Sequence, residues 1–409
     1  MAAATRSLNP FRVLIKYRNF RIFWTGQTIS LIGSWMQQVA VGWLALELSN
    51  DAFVVGIVAA AGTLPILLVS LPGGMLADRA EKLRVIRVAQ SLMLLEATVL
   101  WLLAWTGNLN ILSLIVLTSI GGLLAAFEIP ARQALFVEMV GREDLPQAIG
   151  LNSTGFNLAR VLGPTFAAIV IAKAGIAWTF GLNALSYLAV LIGLALITLP
   201  PRVRSAEPPT SVVEGMAEAV RYVRDTPPLA TLMLVATTFS ILGIPVITLL
   251  PVVARDVLGL GPEGYGALMA SLGLGAVAGA LAIAATGGGA KRGRTLMRAS
   301  HAFPVLLMLF SVVRLPQLSA ALMFIIGVTM IFNNALVNAR LQHEVPDALR
   351  GRVISLYVMV YIGGSPLGSF AAGALARWFG AAWAIGGTAT VMLLFAIWIF
   401  RREPRLAAH

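Results

Sequence analysis

The 409-residue chain contains no cysteine. Disulfide frameworks, thiolate metal sites and cysteine nucleophiles are therefore excluded. Histidine is almost as scarce, with His301, His343 and His409 the whole supply. His343-Glu344 could open a zinc-protease helix, but no second histidine follows at the required spacing and Pro346 interrupts the stretch. Neither a metal site nor a cofactor is expected. An enzyme is not expected either, because clustered nucleophiles, bases or ligands are missing. Charge is the third shortage. Only 12% of residues are charged and 58% are hydrophobic, about half the charged share of a soluble domain, and the mean hydropathy is +0.85. A soluble fold this apolar would lack the polar surface to cover itself, a difficulty that a bilayer removes. The net charge of +12 would suggest nucleic acid in a soluble protein. Here its distribution points to membrane topology, and no nucleic-acid partner is expected.

What the sequence has is long apolar runs. A membrane helix needs ~20 such residues. Twelve runs qualify: 20–47, 53–76, 85–105, 109–129, 147–173, 177–199, 229–253, 264–286, 295–313, 318–339, 350–376 and 381–400. The fold class expected is an all-α membrane protein. The first run is too long for a signal-peptide core and lacks a small-residue cleavage site, so it reads as retained. One connection is long, residues 200–228, with Pro200-Pro201, Pro208-Pro209 and Pro227-Pro228 among charges. It divides the chain into an N-terminal six-helix bundle (1–199), a linker (200–228) and a C-terminal six-helix bundle (229–409). Within the linker, Val212–Val223 can form an amphipathic helix on the membrane surface. Even-numbered connections and the two ends hold 25 of the 30 Lys and Arg residues, whereas odd-numbered connections hold four: Lys173, Arg255, Arg314 and Arg377. That bias places both termini in the cytoplasm, and a miscounted span would scramble it.

The two halves resemble each other. Span four reaches Phe127-Glu128-Ile129-Pro130, then a polar loop, then Gly163-Pro164 in span five. Span ten reaches Phe332-Asn333-Asn334, then a polar loop, then Ser365-Pro366-Leu367-Gly368 in span eleven. The phenylalanines align at an offset of 205 and the prolines at 202. Two parallel repeats of six spans suit a transporter whose substrate sits between halves that rock as bodies.

Charge inside a span is costly and marks function or a partner. Glu96 lies ~18 Å into span three at 1.5 Å per residue and is a candidate proton carrier, or a carboxyl bonded to a neighbouring helix. Arg160, at similar depth in span five, stays charged at any biological pH; it either pairs with a carboxylate or binds an anionic substrate. Glu128 has Arg132 four residues on, which allows a local ion pair or a coupling role. On span one, Gln27, Ser34 and Gln38 fall within ~40° of one another, flanked by Trp24 and Trp35. Amides cannot face lipid unsatisfied, so this face should look inward. Trp43 and Glu47 are expected at the outer interface.

Several segments resemble signatures of the major facilitator superfamily. Gly73-Gly74-Met75-Leu76-Ala77-Asp78-Arg79-Ala80-Glu81-Lys82-Leu83-Arg84 resembles its loop motif G-x-x-x-D-R-x-G-R-R, with Glu81 and Leu83 as departures. The resemblance implies a cytoplasmic gate carried by Gly74, Asp78 and Arg79. The second-half loop Gly287–Arg294 has no acid. Gly150, Ala159 and Gly163-Pro164 resemble the antiporter motif of exporters, with alanine at three glycine positions. Small residues there favour close helix packing, and the proline a bend. Pro130-Ala131-Arg132-Gln133-Ala134, Asn157–Pro164 and Leu349-Arg350-Gly351-Arg352-Val353 are similar to the branch of enterobactin exporters and macrolide-efflux proteins. The resemblance implies a fold of twelve helices in two pseudo-symmetric bundles, with spans one, four, seven and ten around the cavity. That adds Thr329, Asn333 and Asn334 to the substrate candidates. Span four departs from many proton-coupled exporters, since Thr118–Leu124 contains no arginine.

The function expected is proton-coupled export of an amphipathic small molecule (drug, siderophore or lipid-like metabolite) by alternating access. The partners are then the substrate, the proton and the lipid bilayer, for a monomer in a bacterial inner membrane. Import or uniport of a small metabolite is the rival in the same class, and a non-transporting membrane scaffold the rival in another.

Overall fold

The computed structural model describes residues 11–79, 81–198, 212–285, 292–404 and 406, without the side chains of 70–79, 142, 212–214, 292 and 347–348. Among the described residues all regular structure is helical. Twelve helices are long and apolar enough to cross a membrane: Arg18–Ser49, Ala52–Val69, Lys82–Trp105, Ile111–Gly141, Glu143–Ala174, Ala177–Ala195, Pro227–Val257, Pro262–Ala285, Gly293–Val312, Pro316–Glu344, Leu349–Phe379 and Ala381–Arg402. They are numbered span one to span twelve. An even count puts both ends of the chain on one face, here termed the terminal face; the opposite one is the far face. Large apolar side chains are exposed along the spans, and Trp105, Trp378 and Trp383 stand exposed at far-face ends, where amphipathic rings mark the bilayer boundary.

Among the boundaries that differ from the sequence reading are the ends of spans four and ten, read there as 129 and 339. Span four runs to Gly141, thirteen residues beyond Glu128, and span ten to Glu344. The polar stretches expected as loops are the ends of helices. The turn into span five is made at Gly141, whose φ of +73° suits glycine, which has no Cβ to clash there.

The repeat is visible in the packing. Gly122 of span four lies against the Gly62 backbone of span two, so a Cβ on Gly122 would run into the Gly62 carbonyl oxygen. At the offset of 205, Gly327 of span ten lies against span eight, where a Cβ would meet the Leu272 carbonyl. Small residues let backbones approach in lipid, where packing rather than water drives association. Span seven is irregular: π-helical turns at Phe239–Gly243 and Val253–Val257 interrupt it beside Pro245 and Pro251. Such turns recur at functional sites, and broken helices line transporter cavities.

The helix Val212–Asp225 precedes span seven. Its Ala219 and Val223 join a buried cluster with Leu229, Leu232 and Leu356, while Glu218 pairs with Arg352. Its apolar side therefore docks on spans seven and eleven.

Candidate functional site

Three polar clusters lie within the spans. In the first, Glu96 of span three is buried. Gln37 Nε2 of span one sits 3.3 and 3.4 Å from its two carboxyl oxygens. Asn183 Nδ2 of span six donates to Gln37 Oε1 at 2.7 Å, and Ser186 Oγ donates to the Asn183 carbonyl at 2.7 Å. Nearby, the Ser34 and Tyr187 hydroxyls lie 3.3 Å apart. Span four contributes Gly121 beside the carboxyl, where even a methyl would come 3.6 Å from Glu96 Oε1. No ion pair to Glu96 occurs among the described residues. An amide N–H can donate to either form of a carboxyl group and places no fixed positive charge beside it; the Gln37 oxygen is already taken by Asn183.

In the second cluster, Gln90 Nε2 lies 3.3 Å from Glu128 Oε1. Arg132 Nε is 3.2 Å from the same oxygen, close enough for an ion pair but misaligned for a hydrogen bond. The equivalent place in the second half holds Asn333, whose Nδ2 donates to Ser300 Oγ at 2.9 Å. Each pair joins the third and fourth helices of its half.

The third cluster crosses between halves. Arg160 of span five points its Nη2 at Met330 Sδ of span ten, 3.5 Å away. Its guanidinium carbon stands 5.9 Å from the centre of the Trp35 ring of span one. In the second half, the Tyr357 hydroxyl donates to the Asn334 carbonyl at 3.2 Å, and Tyr361 of span eleven stacks on Tyr357 at 5.8 Å. A proline at 164 supplies no N–H to the carbonyl four residues back, which belongs to Arg160. Gly273 of span eight leaves room there, since a Cβ on it would lie 2.8 Å from that oxygen. The expected carboxylate partner of Arg160 is absent among the described residues.

The structure sorts the remaining candidates. Trp24 Nε1 donates to the Leu151 carbonyl at 2.9 Å, tying span one to span five. Gln27 is buried, and its Oε1 has no partner. Ser34 also donates to the Ser30 carbonyl at 3.0 Å. Trp35 meets Phe156 edge to face at 5.7 Å, and Gln38 is exposed. Thr329 bonds back to the Ile326 carbonyl at 3.0 Å. Asn333 is turned into its own bundle, toward Ser300, whereas its neighbour Asn334 receives the Tyr357 hydroxyl on its backbone carbonyl. In the antiporter-like stretch, Gly163 is pressed against Trp35, but Gly150 has open space around it, and the helix continues through Pro164. The side chains of Gly74, Asp78 and Arg79 lie outside the described residues.

Trp43 is not at a lipid interface. It is buried and stacks on Tyr265 of span eight at 6.3 Å; Glu47 is exposed. This stack belongs to a set of far-face contacts between halves that the sequence reading missed. Arg255 of span seven donates to Asn50 Oδ1 at 2.6 Å and to the Leu46 carbonyl at 3.4 Å. Arg377 Nε lies 3.6 Å from Asp51 Oδ2, and Phe53 meets Phe370 at 5.0 Å. Arg255 and Arg377 had counted only as exceptions to the loop-charge rule. On the terminal face the described ion pairs include Lys16 with Asp144 and Lys82 with Glu138 in the first half, Arg340 with Glu344 in the second, and Arg352 of the second half with Glu218 of the linker. The Asp144 hydrogen bond holds the exposed Lys16 ammonium above its ordinary value, a surface pair of little energetic weight.

Residues 5–407 match the family described as transmembrane secretion effector. The chain is 26% identical to the staphyloferrin A transporter of Staphylococcus aureus, over 94% of this chain and 97% of that one. It is 24% identical to macrolide efflux protein A of Streptococcus pyogenes, covering 86% and 89%, and 25% identical to the enterobactin exporter of Shigella flexneri, covering 87% and 84%. Its fold is similar to a bacterial homologue of the human lysosomal transporter Spinster in an inward-facing, unoccupied conformation, with a TM-score of 0.75, 15% identity and 98% of each chain covered. Family, relatives and fold are those of transporters, not enzymes. The chain belongs to the transmembrane secretion effector family of the major facilitator superfamily and is a multi-pass membrane transporter.

Proposed function

We propose that the protein exports amphipathic small molecules from the cytoplasm in exchange for protons, by alternating access, with Glu96 as the proton carrier. The observation that carries this reading is the Glu96 site: a carboxyl buried in the bilayer, satisfied by an amide rather than a cation. A carboxyl neutralised by Arg or Lys would stay ionised, whereas one held by Gln37 can gain and lose a proton. Relatives named as exporters of siderophores and macrolides support the direction. The loop-charge bias favours a cytoplasmic terminal face. With that orientation, the polar and aromatic contacts between halves at the far face lie on the outer side, which supports a state that loads from the cytoplasm. Glu128 with Arg132 is the second acidic group of the same half, and its place beside span three suits a role in transmitting the protonation change.

The test is uptake of a macrolide or a lipophilic fluorescent dye into everted membrane vesicles energised by a pH gradient. The proposal expects accumulation by wild type, release when the gradient is collapsed, and no accumulation with Glu96→Gln. Accumulation that survives collapse of the gradient, or wild-type accumulation by the variant, would refute proton coupling through Glu96.

A further inference from the structure

Arg160 carries the most information not used by the proton-coupling proposal. Its charge is permanent, it lies at mid-span, and no carboxylate reaches it among the described residues. The two acidic groups at comparable depth are engaged elsewhere, Glu96 by Gln37 and Glu128 by Gln90 and Arg132. A thioether and an aromatic face are what the guanidinium meets. These soften its isolation but do not neutralise it. An uncompensated charge inside a membrane protein is strongly unfavourable unless something supplies the opposite charge.

The helix around it has a direction. Ser153, Phe156 and Arg160 recur at three- and four-residue spacing, which places them on one side of span five. Ser153 and Phe156 are exposed, and Phe156 meets Trp35, the same ring that lies under Arg160. This strip runs from the terminal face inward, polar then aromatic, and ends on a cation. Residues from both halves meet there: Trp35 and Arg160 from the first, Met330 from the second.

We infer that this strip is the substrate site and that it selects amphipathic anions, molecules with a flat apolar body and a carboxylate or comparable anionic head. The head pairs with the Arg160 guanidinium, which can engage a carboxylate through two parallel N–H donors. The body lies against Trp35 and Phe156. Because Met330 stands on the site from the other half, the anion that neutralises Arg160 also joins the two halves. The inference rests on the export reading for its biological sense, but selection by charge can be measured separately.

The experiment uses three probes with one apolar body: 1-pyrenebutyrate (anion), 1-pyrenebutanol (neutral) and 4-(1-pyrenyl)butyltrimethylammonium (cation). Binding to the purified full-length protein in detergent is followed by fluorescence anisotropy, and movement of each probe is followed in everted vesicles. The expected result is at least a tenfold preference for the anion over the neutral probe. Arg160→Gln should erase that preference, weakening the anion at least tenfold more than the neutral probe. Arg160→Lys should retain part of it, and a wild-type gel-filtration profile and melting temperature certify that each variant is folded. Equal binding of the three probes by wild type, failure of the anion to bind, or an Arg160→Gln effect that is the same for all three overturns the inference. Anion-selective binding without movement in vesicles would leave this site standing and contradict the export reading. Movement indifferent to probe charge and to Arg160 would do the reverse.

Discussion

The two halves share a scaffold and differ in chemistry. Gly122 and Gly327 occupy matching places and do the same work, letting the fourth helix of each half approach the second. The buried hydrogen bond between third and fourth helices is also duplicated, as Gln90 with Glu128 and Ser300 with Asn333. Its content is not. At the offset of 205, Glu128 corresponds to Asn333 and Arg132 to Val337. At 202, Arg160 corresponds to Ile362, and pairing Gln90 with Ser300 sets Glu96 against Leu306. Every mid-membrane charge in the first half thus has a neutral counterpart in the second. The packing is kept in both halves, while the mid-span carboxyls and guanidinium stand in one copy. In lipid, where each charge is costly, the second half carries neutral polar groups at the matching places, Ser300 and Asn333.

The largest expected effect separates the halves by chemistry. Glu96→Gln should reduce gradient-driven export to the level of vesicles lacking the protein, whereas Leu306→Met, at the matching place, should leave it near wild type; the vesicle uptake assay reads both. The next effect should be shared by the halves. Gly122→Val and Gly327→Val each force a side chain into a neighbouring carbonyl, at a cost of about 1–3 kcal/mol. Both should unfold at lower temperature by tryptophan fluorescence in detergent, while Gly150→Ala, with open space around it, should not. Unequal losses would show that the packing repeat is less exact than the geometry indicates. A smaller effect is expected from exchanging the buried pairs. Glu128→Asn gives the first half the second half's chemistry, and it should slow export without abolishing proton movement. The smallest is at the far face. Arg377→Gln removes a mostly exposed pair with Asp51, worth at most about 1 kcal/mol, and should shift the balance of inward- and outward-facing states only slightly, as read by spin-label distances across the far face.

Much of the fold was legible because its signal is long and repeated. Twelve apolar runs and the alternation of basic loops leave little freedom in count. The ends of spans four and ten were placed short, at 129 and 339, because hydropathy reports where a helix leaves the bilayer, not where its hydrogen bonding stops; for span four Gly141 was the better marker. The buried charges were legible as single residues, since any ionisable group in a span stands out. Their partners were not. The helical-wheel reading selected Gln27 and Gln38, while the amide that meets Glu96 is Gln37, and only the packing of spans three and six reveals that. Asn183 and Tyr187 were hidden for the same reason. Asn333 and Asn334 are adjacent in sequence yet serve different helices, a distinction that turns on rotation about the helix axis by ~100° per residue. The π-helical turns of span seven left a trace in Pro245 and Pro251, but prolines alone do not specify that register.

The central claim, that the proton travels in the first half on Glu96, is tested most directly by proton flux. Purified protein is reconstituted in liposomes enclosing a pH-sensitive dye, a transported macrolide is added, and wild type is compared with Glu96→Gln and Glu128→Asn. The account predicts substrate-induced proton movement by wild type, slower movement by Glu128→Asn, and none by Glu96→Gln even though that variant still binds the substrate. Proton movement by Glu96→Gln at the wild-type rate would contradict it.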